Sequence, residues 1–285
     1  MAERDALRAT PPSGSTTADA GRTDRVDWLP LLRRITEACP EWLSWKNVES
    51  ALTGVGDVDA VAPGDSWDRI TLEFRRWAVE YGLGPVIECP HAPFLRHLVA
   101  LSPVRPEFYE LDLNRRKIFL GSTLFLPADL LPLTIADERG FRRLRPGAEG
   151  LLKLIQNGAY HDGRPNTAAL QAKGIRELLS QDPEGVRACA WLFGRARGAV
   201  LRASDALLAG TWDRPAVLMV NAWSLLRAVA EPDGVMARIR FRINRRTCPV
   251  LRAVFAGRRR TPPDRERWLA DVATTHVVYR DSSVF

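Results

Sequence analysis

The chain is short of the features that mark secreted, redox or membrane proteins. Of its 285 residues only four are cysteines, Cys39, Cys89, Cys189 and Cys248. No two form a Cys-x-x-Cys pair, so neither a zinc knuckle nor a redox motif is indicated, and reduced, buried thiols are expected. No apolar run nears the roughly 20 residues that a membrane helix needs, so no membrane partner is expected. The first residues lack a basic-then-apolar leader, which makes a cytoplasmic location the default. Lysine is scarce too. Lys46, Lys117, Lys153 and Lys173 are its whole complement among 41 basic residues, against 34 acidic ones, for a net charge of +7. That sign permits anionic partners such as nucleotides or nucleic acid. An arginine bias also follows from GC-rich coding and does not by itself mark a surface.

Large apolar residues are almost missing from positions 1–25, which are rich in Ala, Thr, Ser, Pro and charge. Such a stretch cannot bury enough surface to offset its ordering entropy, and a disordered tail is expected. From Trp28 the pattern changes. Leu29, Leu31, Leu32 and Ile35 recur at helical spacing until Pro40. Trp67, Ile70, Phe74, Trp77 and Ala78 predict a second helix, capped by Asp65 or Ser66 and stopped by Gly82. Pro85–Cys89 reads as a strand. Glu107–Asn114 alternates like a half-buried strand, and Arg115-Arg116 is expected to turn it into a hairpin with Lys117–Leu120. Beyond the basic connector at 140–150 the period becomes helical, with helices expected from Leu151 to Gly158 and around 167–181, 183–208 and 215–230. Residues 237–260 hold nine arginines and no acid. The alternation from Arg238 to Ile243 suits an amphipathic strand or a basic helix edge, a surface for nucleic acid or an acidic partner.

The stretch with most chemical content is Gly54-Val55-Gly56-Asp57-Val58-Asp59-Ala60-Val61. In a strand, Asp57 and Asp59 face one side while Val58 and Ala60 face the other. Two carboxylates so close favour a cation between them, and Mg²⁺ takes such oxygens and brings phosphates with it. A solvated strand edge carries the same two aspartates without any ion. Cys89, His91 and His97 invite a zinc reading, but a full ligand set is missing. Glu110, Asp112 and Asn114 share one face of their strand.

Gly-Asp-x-Asp at a strand start, a short helix before it and an apolar-Asp-apolar strand at Leu111-Asp112-Leu113 together resemble the nucleotidyltransferase superfamily over roughly residues 42–125. The resemblance implies an α/β (α+β) fold, in which a small mixed sheet forms a catalytic domain over 26–140 and a mainly helical domain follows over 141–285. It implies transfer of a nucleoside monophosphate from a nucleoside triphosphate such as ATP to a hydroxyl acceptor. Asp57, Asp59 and Asp112 would be the metal-binding and catalytic carboxylates, with Glu110 the alternative third, and Mg²⁺ or Mn²⁺ the cofactor. The family's Gly-Ser phosphate loop is replaced here by Lys46-Asn47. Those two residues, with Gly54, Gly56 and Lys153, are the candidate nucleotide contacts. The alternative is a non-catalytic protein of this fold that binds nucleic acid or an acidic partner through 237–260.

Overall fold

A computed structural model describes residues 26–54, 57–172, 174–255, 261 and 263–280. The expected tail at 1–25, Gly56 and Arg258–Arg260 lie outside the described residues. In chain order the elements are α1 (Leu29–Ala38), β1 (Leu43–Lys46), α2 (Val48–Leu52), β2 (Val58–Val61), α3 (Trp67–Glu80), β3 (Val86–Ala92), β4 (Leu95–Leu101) and β5 (Phe108–Asn114). Next come β6 (Lys117–Phe119), β7 (Ser122–Phe125), α4 (Pro127–Leu130), β8 (Thr134–Ala136), β9 (Arg142–Leu144) and α5 (Pro146–Gln156). The rest is α6 (Thr167–Ala172), α7 (Ile175–Gln181), α8 (Pro183–Cys189), α9 (Arg197–Leu208), α10 (Arg214–Val229), α11 (Pro232–Thr247), α12 (Pro249–Phe255), α13 (Arg265–Ala273) and β10 (Val277–Tyr279). The fold is mixed α and β, as the pattern of periods implies. No described helix is long and apolar enough to cross a membrane.

Eight strands form one sheet in the order β10-β3-β4-β5-β2-β1-β9-β8. β2 runs parallel to β5, and β1 parallel to β9; the other neighbours are antiparallel. β9 and β10, which fall within 141–285, therefore pair with strands of the 26–140 segment.

One face of the sheet is apolar through its centre, with Glu88 and Arg96 paired beside it. Val58, Ala60, Leu98, Ala100, Leu111 and Leu113 meet Leu31, Ile35, Ile70, Phe74 and Trp77 of α1 and α3. Trp28 stacks on Trp77 with ring centroids 4.7 Å apart, sealing the helix pair. The opposite face is apolar only at its two ends. Ile87, Cys89, Val99 and Leu101 are covered by Val250, Leu251, Trp268 and Leu269 of α12 and α13. Leu43, Trp45 and Val61 join the core of the helices from α5 to α10. Between these two cores the sheet carries polar side chains, and that gap is where the chemistry sits.

Two local expectations fail for physical reasons. Lys117–Phe119 does not form a hairpin with β5, because both edges of β5 are taken by β4 and β2. It pairs with β7 instead, around Leu120 and Gly121, both at positive φ. Of the two readings of Arg238–Ile243 the strand fails and the basic helix holds, since the stretch is the middle of α11, which starts at Pro232. Ser66 does sit at the N-cap of α3, yet neither it nor Asp65 makes a side-chain cap bond there.

Candidate metal centre and adjoining cleft

Val58 and Ala60 anchor β2 in the apolar face, which turns Asp57 and Asp59 to the polar gap. The parallel pairing with β5 sets Asp59 opposite Asp112. One oxygen from each of Asp57, Asp59 and Asp112 lies within 4.8 Å of the other two. The pairing continues sideways, with Lys46 opposite Asp59 on β1 and His97 opposite Asp112 on β4. Lys46, Asp59, Asp112 and His97 thus form a row across four strands.

Asp59 is only 3 % exposed and is held at both oxygens. The Lys46 Nζ lies 3.0 Å from Oδ1, and the Asn47 side-chain amide donates to Oδ2 at 2.9 Å. Asn47 is itself fixed. Its φ is +62°, and its backbone N–H donates to Glu149 Oε1, which Lys153 clamps at 2.5 Å. Burial pushes Asp59 up to about 6 even against the pull of Lys46, with Asp57 and Asp112 adding like-charge repulsion. Lys46 shifts upward too, because three carboxylates together outweigh its burial. The two shifts agree: the lysine gains more from the cluster than Asp59, which has two like charges beside it.

On the far side of Asp112 stands a pair that the sequence reading left open. His97, 1 % exposed, directs Nδ1 at Asp112 Oδ1 and at Glu110 Oε1, the latter 2.9 Å away. Burial would discharge this imidazole, but the two carboxylates raise it to about 10. Glu110 is driven the other way, up to about 8 by burial and by Asp112. Asp112 stays below the ordinary aspartate value, since His97 outweighs its own desolvation. The stable arrangement is an imidazolium, a neutral Glu110 and an ionised Asp112.

Beside the carboxylates opens a cleft of about 340 Å³, lined by Lys46, Arg116 and Lys117 on the strand side and by His161 and Arg238 on the helical side. Phe94 and Phe241 add aromatic wall. A slip in register between Ser44 and Lys46 lets Trp45 enter the core while Lys46 reaches Asp59. The Trp45 ring then supports both Lys46 and Lys117, at 4.7 and 5.0 Å from its centroid. A larger cavity of about 500 Å³, near Leu170, Leu207 and Trp212, shares no residue with this cleft and none with the carboxylate cluster.

The other candidates fall as follows. Gly54 is an exposed turn residue at φ +78°. Lys153 is buried against Glu149 and does not line the cleft, so it braces Asn47 from behind. Lys46 ends a strand rather than starting a helix. Cys89 pairs in register with His97 but belongs to the apolar core under α12 and α13. Comparison with protein-family models, curated proteins and solved structures finds no match to this chain.

Proposed function

We propose that the chain is a metal-dependent nucleotidyltransferase, moving a nucleoside monophosphate from a nucleoside triphosphate to a hydroxylated acceptor. The observation that carries this reading is the convergence of Asp57, Asp59 and Asp112 within 4.8 Å, beside a cleft whose lining includes four cations. The donor set fits a hard divalent ion such as Mg²⁺ or Mn²⁺. It is all oxygen, and Asp59 is held near 6 by burial and like charge, a crowding that a cation relieves. When bound, such an ion supplies charge neutralisation at the phosphates undergoing transfer.

The chain's own residues do the rest. Asn47 and Lys46 fix the Asp59 carboxylate in one orientation, and Lys46, at the cleft wall, meets incoming phosphate oxygens as a point charge. Asp112 faces the position of the acceptor hydroxyl. The hydroxyl oxygen bonds to the α-phosphorus as the bond to the bridging oxygen breaks, and pyrophosphate leaves. Because His97 keeps Asp112 a weak base, its share is to orient the hydroxyl and receive the proton late, as the new bond completes. Positioning and charge then account for most of the rate.

The test is equilibrium binding of non-hydrolysable nucleoside triphosphates, with and without Mg²⁺. Binding that needs the metal and disappears in Asp57→Asn and Asp59→Asn is expected. Binding indifferent to both rejects the proposal.

One observation favours the second reading, a non-catalytic binding protein. α11 exposes Arg240, Arg242 and Arg246 alongside Met236, Ile239 and Ile243. Under that reading the chain binds nucleic acid or an acidic protein in a salt-sensitive way that Asp57→Asn leaves unchanged.

A further inference from the structure

Among the described residues the cleft is lined by four cationic side chains and by no carboxylate. Two of the four are already neutralised: Lys46 by Asp59, and Arg116 by Glu231 and Asp233. Lys117 and Arg238, one on each wall, form no ion pair among the described residues. A third donor points the same way. The Nε2 of Gln156, another lining residue, is buried without a hydrogen-bond partner. Two cations outside any ion pair, Arg238 touching the His161 ring at 3.5 Å, and an orphaned amide donor around one cavity ask for a ligand rich in anionic acceptor oxygens.

We propose that Lys117, Arg238 and Gln156 form a phosphate-binding subsite spanning the cleft between the β6 strand and the helical segment. Naming phosphate as the anion rests on the nucleotidyl-transfer reading; the demand for an anion does not. The ligand chemistry is a phosphate group, contributed either by the polyphosphate of the donor or by a phosphorylated acceptor. Trp45 prepares the strand-side wall, since its ring sets Lys117 beside Lys46 before any ligand arrives. Lys117 has a reason to accept an anion: burial and the neighbouring Lys46 bring it down to about 8 even against the pull of Asp59, Asp112 and Asp57, and a phosphate returns the lost solvation. Arg238 reaches in from α11, whose start is tied to the strand side by Arg116 through Glu231. The subsite is therefore built by segments more than a hundred residues apart in sequence, yet clamped together.

Calorimetry on the full chain tests this, with inorganic tripolyphosphate as probe, chelator present, low salt and about pH 7, where Lys117 is charged. The wild type is expected to bind at a single salt-sensitive site. Lys117→Met and Arg238→Met are each expected to weaken binding about tenfold, the share of one charge-assisted contact, and Gln156→Leu by less. Lys117→Arg keeps the charge and retains binding, which separates loss of the contact from loss of the fold. Asp57→Asn is expected to bind at least as tightly, because it removes a negative charge. Undiminished binding in both methionine variants, or none in the wild type, overturns the subsite. If triphosphate binding proves indifferent to metal while these results hold, the nucleotidyl-transfer reading fails and the anion site stands. Glycerol 3-phosphate then separates the sources. Exclusion by a bound non-hydrolysable triphosphate supports a subsite for the donor polyphosphate, and simultaneous binding supports one for the acceptor phosphate.

Discussion

Removing one carboxylate is expected to make the metal-free protein more stable and the metal-loaded protein less so. The perturbation is Asp57→Asn, nearly isosteric and at a partly open position. Asp57, Asp59 and Asp112 lie within 4.8 Å of one another. At that outer limit two unit charges repel by about 3 kcal/mol at an effective dielectric near 20. Water reaches part of the cluster and Lys46 sits 3.0 Å from Asp59, so screening leaves about 1–2 kcal/mol of relief. In chelator the variant should melt about 2–5 °C above wild type for a chain of this size. With a divalent ion at a hundredfold excess over its dissociation constant, the wild type gains about 2.7 kcal/mol by mass action. The variant forfeits most of that, so the order of melting reverses. The assay is thermal unfolding of both proteins with chelator, then with Mg²⁺ or Mn²⁺, at about pH 7.5, above the Asp59 titration. A variant that melts below wild type in chelator shows that the carboxylates do not strain the site. A variant with an undiminished metal-dependent rise shows that the ion does not use Asp57. Either result refutes the reasoning.

Three further outcomes follow from the same interior. Lys46→Met strands a buried Asp59 charge and should cost about 3–5 kcal/mol. The Lys46→Met/Asp59→Asn double variant should recover more than half of that in urea unfolding, and simple additivity of the two single losses would speak against the pair. In metal-free protein, Glu110 and His97 hold protons that the unfolded chain releases. Burial raises Glu110 from 4.5 to about 8, and the two carboxylates, overcoming burial, raise His97 from 6.5 to about 10. Their stabilisation is full below the unfolded values and lost as pH rises through those windows. Glu110→Gln should flatten the decline between pH 4.5 and 8 in a melting-against-pH series, and an unchanged slope refutes the assignment. Gly147→Ala would place a Cβ 1.9 Å from the Asp182 carbonyl oxygen and 2.7 Å from the Val186 nitrogen, prising α5 from α8 at a cost of about 3 kcal/mol or more. Gly198→Ala in α9 meets nothing within 4 Å and should instead add about 0.5–1 kcal/mol from helix propensity. Equal melting of the two glycine variants would contradict both estimates.

Much of the framework is written locally. The period of Trp67–Ala78 gives α3, and the alternation of Glu107–Asn114 gives β5, because each pattern reports which side chains one nearby surface buries. Asp57 and Asp59 were placed by the same two-residue period. What local pattern could not give was pairing. β4 escaped notice because Leu98–Leu101 is buried on both faces of the sheet and shows little alternation. Without β4, nothing in the sequence joined His97 to Asp112, and nothing blocked the false hairpin at Lys117. Both errors are one error: the edges of β5 were already filled, one by β4 just before it and the other by β2, distant in the chain.

The scarcity of lysine held a signal about the site. Among the described residues its three lysines, Lys46, Lys117 and Lys153, all gather around the carboxylates and the bracing Glu149, while arginine takes the outer salt bridges. The two cations suit different places. A guanidinium is a broad planar fork that matches a carboxylate from outside, as Arg145 does with Asp182. An ammonium is a compact charge on a flexible stem, able to lie along the Trp45 ring and still reach a single oxygen of a crowded trio. Where a chain otherwise uses arginine, a lysine marks a position that takes a compact charge on a flexible stem. By that argument Lys117, which no strand motif singled out, belongs to the same cleft as Lys46, where the structure places it.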